Sequence, residues 1–421
     1  MRARWLAILG CLFAALVLGV TACGDDDDEG GGGEVSGNTL QIYSSLPLQG
    51  SSRPQNVAVV NGAKLALEER NGKVGKYTID YQSLDDATAQ TGKWDPGATS
   101  ANARKAAQDD KTIAYIGEFN SGASAISIPI LNEAGIPQVS PANTAVGLTV
   151  DEPGADKGEP DKYYPTGERT YARIPPRDRI QGAALATVMK EDGCTSLYIL
   201  NDKEVYGAGL ATNLETSAKE EGIRVLANEG IDPKAANYRS LASKIKDADA
   251  DCFIFSGISQ NNAVQVYKDV AAATDAKLFG PDGVAEGVFF DPKEGGIPPE
   301  VARRTKVSVA TLSREEYERL RIPARRFFDS YQKKYNEPDP DPYAIFGYET
   351  MSLVLDSIER AGAKGNDRKA VIDAILTTKG RDSVLGTYDI TENGDSTITD
   401  YGIYTIEGGK LVFSKRVKGE A

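Results

Sequence analysis

Residues 115–147 read YIGEFNSGASAISIPILNEAGIPQVSPANTAVG. An apolar run ending at Gly117 predicts a buried strand, SGASAISIPILNEAG predicts a helix, and IPQV predicts a second short strand. Strands joined through a helix lie parallel, so this unit specifies an α/β layer. Working outward, LQIYSSL, YTIDYQS, IAYIG, LYILND, IRVLANEG and DCFIFSG are short apolar runs. Stretches with helical apolar spacing, such as NVAVVNGAKLALEERNG and GAALATVMKEDG, separate them. The alternation occurs twice, over about 40–139 and 180–280, and predicts two doubly wound parallel-sheet lobes facing a cleft. A ligand of such sheets lies beyond the carboxyl ends of the strands.

Composition narrows the function. The 421 residues are 40% hydrophobic and 26% charged, enough for two filled cores. There is no histidine, which removes the commonest general base, the commonest metal ligand and the Ser-His and Cys-His pairs. An enzyme is therefore disfavoured, and no cofactor is expected. A net charge of −13 without a basic face disfavours nucleic acid as a partner.

Residues 1–22 predict an export signal. Arg2 and Arg4 precede the apolar run Trp5–Val20, which is shorter than the roughly 20 residues of a spanning helix and runs into small residues and then acids. Residues 23–38, with GDDDDEGGGG at their core, predict a flexible tether. Adjacent like charges in glycine stay solvated, so no metal site is expected there.

The two strand ends of the opening stretch carry the candidate site. Asn120 and Ser121 fall at a strand-to-helix junction, where a serine hydroxyl either caps the helix or joins free N–H groups in holding a carboxylate. Ala142, Asn143 and Thr144 end the next strand and offer a carbonyl, an amide and a hydroxyl. Together the two ends suit a zwitterion. VYGAGLA lacks the third glycine of a dinucleotide motif and does not predict one.

GAKLALEERNG, YIGEFNSGAS, GIPQVSPANT, TYARIPPRDRIQGAALA, LNDKEVYGAGLA, LFGPDGV and YAIFGYETMSLVLDSI follow in this order. With them the chain resembles the substrate-binding proteins of branched-chain amino acid ABC transporters, the type I periplasmic-binding family that includes the leucine/isoleucine/valine-binding protein. The resemblance implies that Ser121 and Thr144 hold a ligand carboxylate, and that Ala142 and Thr144 receive its ammonium. It implies that Tyr206 closes over the ligand from the second lobe and that Asp282 pairs with the ammonium; a turn role in PDG is the other reading of Asp282. Ile258, and Gln55 or a close neighbour, stand where the family often has aromatic residues, so the pocket wall departs from its relatives. Tyr343 aligns near an aromatic that contacts the ligand side chain, or else belongs to the core. VTAC (20–23) resembles the lipoprotein box, which implies cleavage before Cys23 and lipid attachment to it.

By the same resemblance lobe 1 is expected at 39–173 plus 312–386 and lobe 2 at 174–311 plus 387–421, with three crossings forming a hinge. EEYERLRIPARRFFDSYQKKY is expected as one helix, and 150–170 is an insertion of unassigned role. Cys11 lies in the signal and Cys23 in the lipobox, leaving Cys194 and Cys252 at the starts of two strands. In an exported protein they predict a disulfide, with two buried thiols as the alternative. The function expected is an exported, lipid-anchored, monomeric receptor that captures a small amino acid, branched-chain first, and delivers it to an ABC permease. A sensor or uptake receptor for amides, urea or small aromatic or carboxylic acids is the alternative.

Overall fold

The structure, a computed structural model, describes residues 33–419. The expected signal peptide, Cys11 and Cys23 lie outside the described residues.

Six strands form the first sheet: β1 (Thr39–Leu46), β2 (Lys73–Val74), β3 (Tyr77–Asp85), β4 (Thr112–Ile116), β5 (Gln138–Ser140) and β6 (Tyr171–Arg173), in the order β2-β3-β1-β4-β5-β6. All pairs are parallel except β2 with β3. The second sheet contains β7 (Ser196–Asn201), β8 (Arg224–Gly230), β9 (Cys252–Ser256), β10 (Lys277–Gly280) and β11 (Thr305–Val309). A separate hairpin, β12 (Arg381–Ser383) and β13 (Gly386–Tyr388), precedes β14 (Asp400–Glu407) and β15 (Lys410–Lys418). The second sheet runs β15-β14-β11-β10-β9-β7-β8, and its last two strands are antiparallel.

Each sheet thus contains the same parallel run, β3-β1-β4-β5-β6 and β8-β7-β9-β10-β11. Both reverse direction at one switch point, between β1 and β4 and between β7 and β9, where doubly wound sheets place their ligands. β4, β7 and β9 are buried along their whole lengths, as parallel strands covered on both faces are.

The chain passes between the sheets three times: after β6, after β11 and before β14. After the second passage, helix Ala344–Ala361 lies on helix Arg53–Glu69 behind the first sheet. Gly62 and Gly347 let their backbones touch, since a Cβ on either would meet the other helix's main chain.

Three expectations need correction. The tether does not extend to 38: Val35 is buried, and its N–H donates to the Asn366 carbonyl at 2.7 Å, because an apolar side chain there finds a lobe surface to cover. The boundary at 386/387 is too early, since Arg173 N–H bonds the Gly394 carbonyl at 2.9 Å and residues up to 396 stay on the β6 edge. The long helix is two, Arg314–Arg319 and Ala324–Tyr335, because Pro323 follows a left-handed Arg321 (φ 59°).

The structure joins Cys194 and Cys252 in a disulfide with Cα atoms 5.8 Å apart. β7 and β9 are neighbours with Leu197 opposite Cys252, so the bond lies at the amino-terminal end of the sheet. The 150–170 segment reaches helix Val205–Glu220, where Gly154 packs on the Gly209 carbonyl and the Asn213 side chain.

Candidate functional site

The first wall is built at the ends of β4 and β5. Asn120 is the N-cap residue of helix Ser121–Glu133, yet its side chain makes no capping bond. The Ser121 hydroxyl instead accepts the Ala145 N–H at 3.3 Å, tying the helix start to the turn after β5. In that turn the Ser140 hydroxyl accepts the N–H groups of Ala142 (3.1 Å) and Asn143 (2.9 Å) and donates to the Glu118 carbonyl (2.8 Å). Ala142 and Thr144 are thereby fixed beside the helix N-terminus, whose free N–H groups favour an anion.

Asn143 needs correction. Its amide nitrogen donates to the carbonyls of Glu118 (3.1 Å) and Phe119 (2.9 Å), and its oxygen accepts from the Tyr171 hydroxyl (2.9 Å). The whole amide holds the two strand ends together and is not free to meet a ligand.

The opposite wall centres on Asp282, at the end of β10. Its Oδ1 accepts from the Tyr206 hydroxyl (2.6 Å) and Gln181 Nε2 (2.7 Å), and its Oδ2 from the Tyr343 hydroxyl (2.5 Å). The side chain thus serves three other elements rather than its own turn. Gly283 is required beside it, because a Cβ there would meet the Tyr206 ring. Asp282 is 5% exposed, and among the described residues no lysine or arginine pairs with it. Three neutral donors orient this carboxylate and leave its charge uncompensated. A cation completes such a site.

Tyr343 bridges the two walls. Its ring lies 5.1 Å from Phe119 of the first lobe, while its hydroxyl binds Asp282 of the second. It is a buried core residue that also touches the candidate site through Asp282.

Sequence reasoning missed Asp178 and Gln181, one helical turn apart at the start of helix Asp178–Glu191. The Asp178 N–H donates to the Thr144 carbonyl at 2.7 Å, joining the walls. Both carboxylate oxygens are buried without a geometric hydrogen-bond partner. Burial pushes this carboxyl up to about 8, against the nearby Thr144 hydroxyl, with the Asp282 charge adding to the rise. An acid in a first helical turn reads as a complement to the helix dipole, so TYARIPPRDRIQGAALA gave no local signal.

The lobes meet over a small cavity lined by Ser52, Gln55, Asn120, Ile258, Gln260 and Glu286, with Lys93, Trp94, Phe119 and Gly283 completing it. Gln55, Asn120 and Ile258 therefore share one space. Ser121, Ala142, Thr144, Tyr206, Asp282 and Tyr343 are buried around it without lining it. Polar contacts cross the cleft: Lys93 Nζ to Glu204 (2.6 Å) and Asn261 (2.7 Å), Trp94 Nε1 to Glu204 (3.2 Å), Gln260 to Ser51 (3.1 Å), and Gln55 to the Ala285 carbonyl (3.4 Å).

Comparison with known proteins agrees with this architecture. Residues 40–410 match the family described as periplasmic binding protein. A Leu/Ile/Val-binding protein of Rhizobium johnstonii is 26% identical over 373 residues, 87% of this chain and 91% of the relative. A leucine-, isoleucine-, valine-, threonine- and alanine-binding protein of Pseudomonas aeruginosa is 24% identical over 379 residues, 88% and 90% of the two chains. A leucine-binding protein structure from Thermotoga maritima superposes with a TM-score of 0.75 at 21% identity, covering 90% of this chain and 99% of its own. The two parallel sheets, their matching switch points and the match over most of the sequence place the chain in the periplasmic binding protein family, with the type I α/β fold and a binding rather than a catalytic role.

Proposed function

We propose that the chain is an exported receptor that captures a small α-amino acid between its lobes and presents it to an ABC permease. The observation that carries this reading is Asp282, a buried carboxylate oriented by Tyr206, Gln181 and Tyr343 with no cation beside it. An α-ammonium group supplies the missing charge. Ser121, Thr144 and the helix N-terminus supply donors for the carboxylate at the other end, and the Ala142 carbonyl and Thr144 hydroxyl turn toward the ammonium. Relatives named for leucine, isoleucine and valine put branched-chain amino acids first among ligands to test.

The three passages between the sheets serve as the hinge, with lobe 1 at about 35–173 plus 312 to about 396 and lobe 2 at 174–311 plus about 397–419. Closure of the lobes then signals occupancy to the permease. Cys23 serves as the lipid attachment point on the outer face of the cell membrane, and the receptor acts as a monomer.

Thermal-shift screening against amino acids, amides, urea and small aromatic carboxylates tests the reading. A ligand at 100 times its Kd adds about 2.7 kcal/mol of stability. Stabilisation by α-amino acids is the expected result. Stabilisation only by amides, urea or aromatic acids favours the alternative receptor, and a mature amino terminus with an unmodified Cys23 removes the anchor.

A further inference from the structure

We propose that Glu286, with Gln260 and Gln55, makes the side-chain end of the pocket a reader of hydrogen-bond donors, so that the ligand's side chain ends in an amide or cationic N–H group rather than plain alkyl. This rests on the amino-acid reading above and departs from the named relatives at the side chain only.

Glu286 follows β10 and stands at the N-cap of the short helix Gly287–Phe290. Its side chain does not cap that helix; it lines the cleft cavity and is 6% exposed. Gln260 Nε2 reaches one oxygen at 2.5 Å. Among the described residues no lysine or arginine pairs with Glu286, and the cavity's own cation, Lys93, is held by Glu204 and Asn261.

From the first lobe Gln55 approaches through its bond to the neighbouring Ala285 carbonyl. Behind Gln55 stands Asp341, a like charge. Burial first, and then Asp341, push the Glu286 carboxyl up to about 7 against the hydrogen bonds from Gln260 and Ser259.

This enclosed carboxyl has Gln260 on one oxygen and, among the described residues, no cation beside it. A ligand N–H placed in the same cavity completes it, whereas an alkyl end buries it against carbon and loses that bond. Trp94, Phe119 and Ile258 supply the apolar sides along which the methylenes of such a side chain lie.

Isothermal titration of the full mature chain with glutamine, lysine, leucine and norleucine tests this, repeated on Glu286→Leu and Gln260→Leu. The donor-bearing ligand is expected to bind about 10- to 100-fold more tightly than its alkyl counterpart, with the preference lost in Glu286→Leu. Leucine or norleucine binding as tightly as glutamine and lysine would overturn the inference and leave the amino-acid reading standing. Absence of binding by all four to folded protein would overturn both. The ligand comparison on the unsubstituted chain decides the matter even if neither variant folds.

Discussion

Asp178 shows how a single buried acid couples the site to pH. Its carboxyl titrates near 4 in an unfolded chain and is pushed up to about 8 by burial in the folded one. Between those values the folded protein keeps a proton that the unfolded chain releases. This group therefore lowers stability as pH rises from about 4 to about 8, and the loss is complete above that. Asp178→Asn is expected to raise the melting temperature more at pH 8 than at pH 5. Equal shifts at the two values would show that the carboxyl titrates normally. The candidate positions Ser121, Thr144 and Asp282 are legible at this scale because they follow strand ends and carry residue types that the resemblance singles out. Asp178, Gln181 and Glu286 are not, because each looks locally like a helix-start acid, a helix-surface amide or a turn acid. Their roles come from partners distant in sequence: Thr144 for Asp178, Asp282 for Gln181 and Gln260 for Glu286. Asn143 reads as a ligand residue in sequence because its partner Tyr171 is 28 positions away on the edge strand.

Elements were more legible than their ends. Parallel strands buried on both faces leave continuous apolar runs, and β4, β7 and β9 were read correctly from them. The split after Arg319 was missed because RRFFDSYQKKY and EEYERL share one helical periodicity, and only Pro323 marks the break. The disulfide ties β7 to β9 across 58 residues at the end away from the cleft. Replacing Cys194 and Cys252 together by serine is expected to cost about 2–4 kcal/mol in denaturant unfolding while leaving ligand affinity unchanged. A large loss of affinity would mean that the bond shapes the pocket. At the crossing of helices Arg53–Glu69 and Ala344–Ala361, Gly347→Val is expected to destabilise by about 1–3 kcal/mol, since its side chain would enter the Val59 backbone. An unchanged denaturation midpoint would show that the helices can separate freely.

At the scale of the molecule, two of the three inter-sheet passages are pinned by one buried ion pair. Arg173, at the end of β6, donates to Asp395 (2.7 Å), the Ala145 carbonyl (2.7 Å) and the Thr149 hydroxyl (2.5 Å). Asp395→Ala leaves that guanidinium buried and unpaired, and is expected to cost about 3–5 kcal/mol of stability. A loss below 1 kcal/mol in calorimetry would show that the charge finds water there. The doubled α/β pattern made the two-lobe plan legible, but the position of the last crossing was not, because residues 389–396 have no strand pattern and are held on the β6 edge by isolated bridges and the Arg173–Asp395 pair. The central claim is that Asp282 binds the ammonium of an α-amino acid enclosed between the lobes. Titration calorimetry of the tightest-binding amino acid against the parent chain and Asp282→Ala tests it most directly. The account predicts a loss of about 2–5 kcal/mol in binding free energy with the fold intact; unchanged affinity in the folded variant would contradict it.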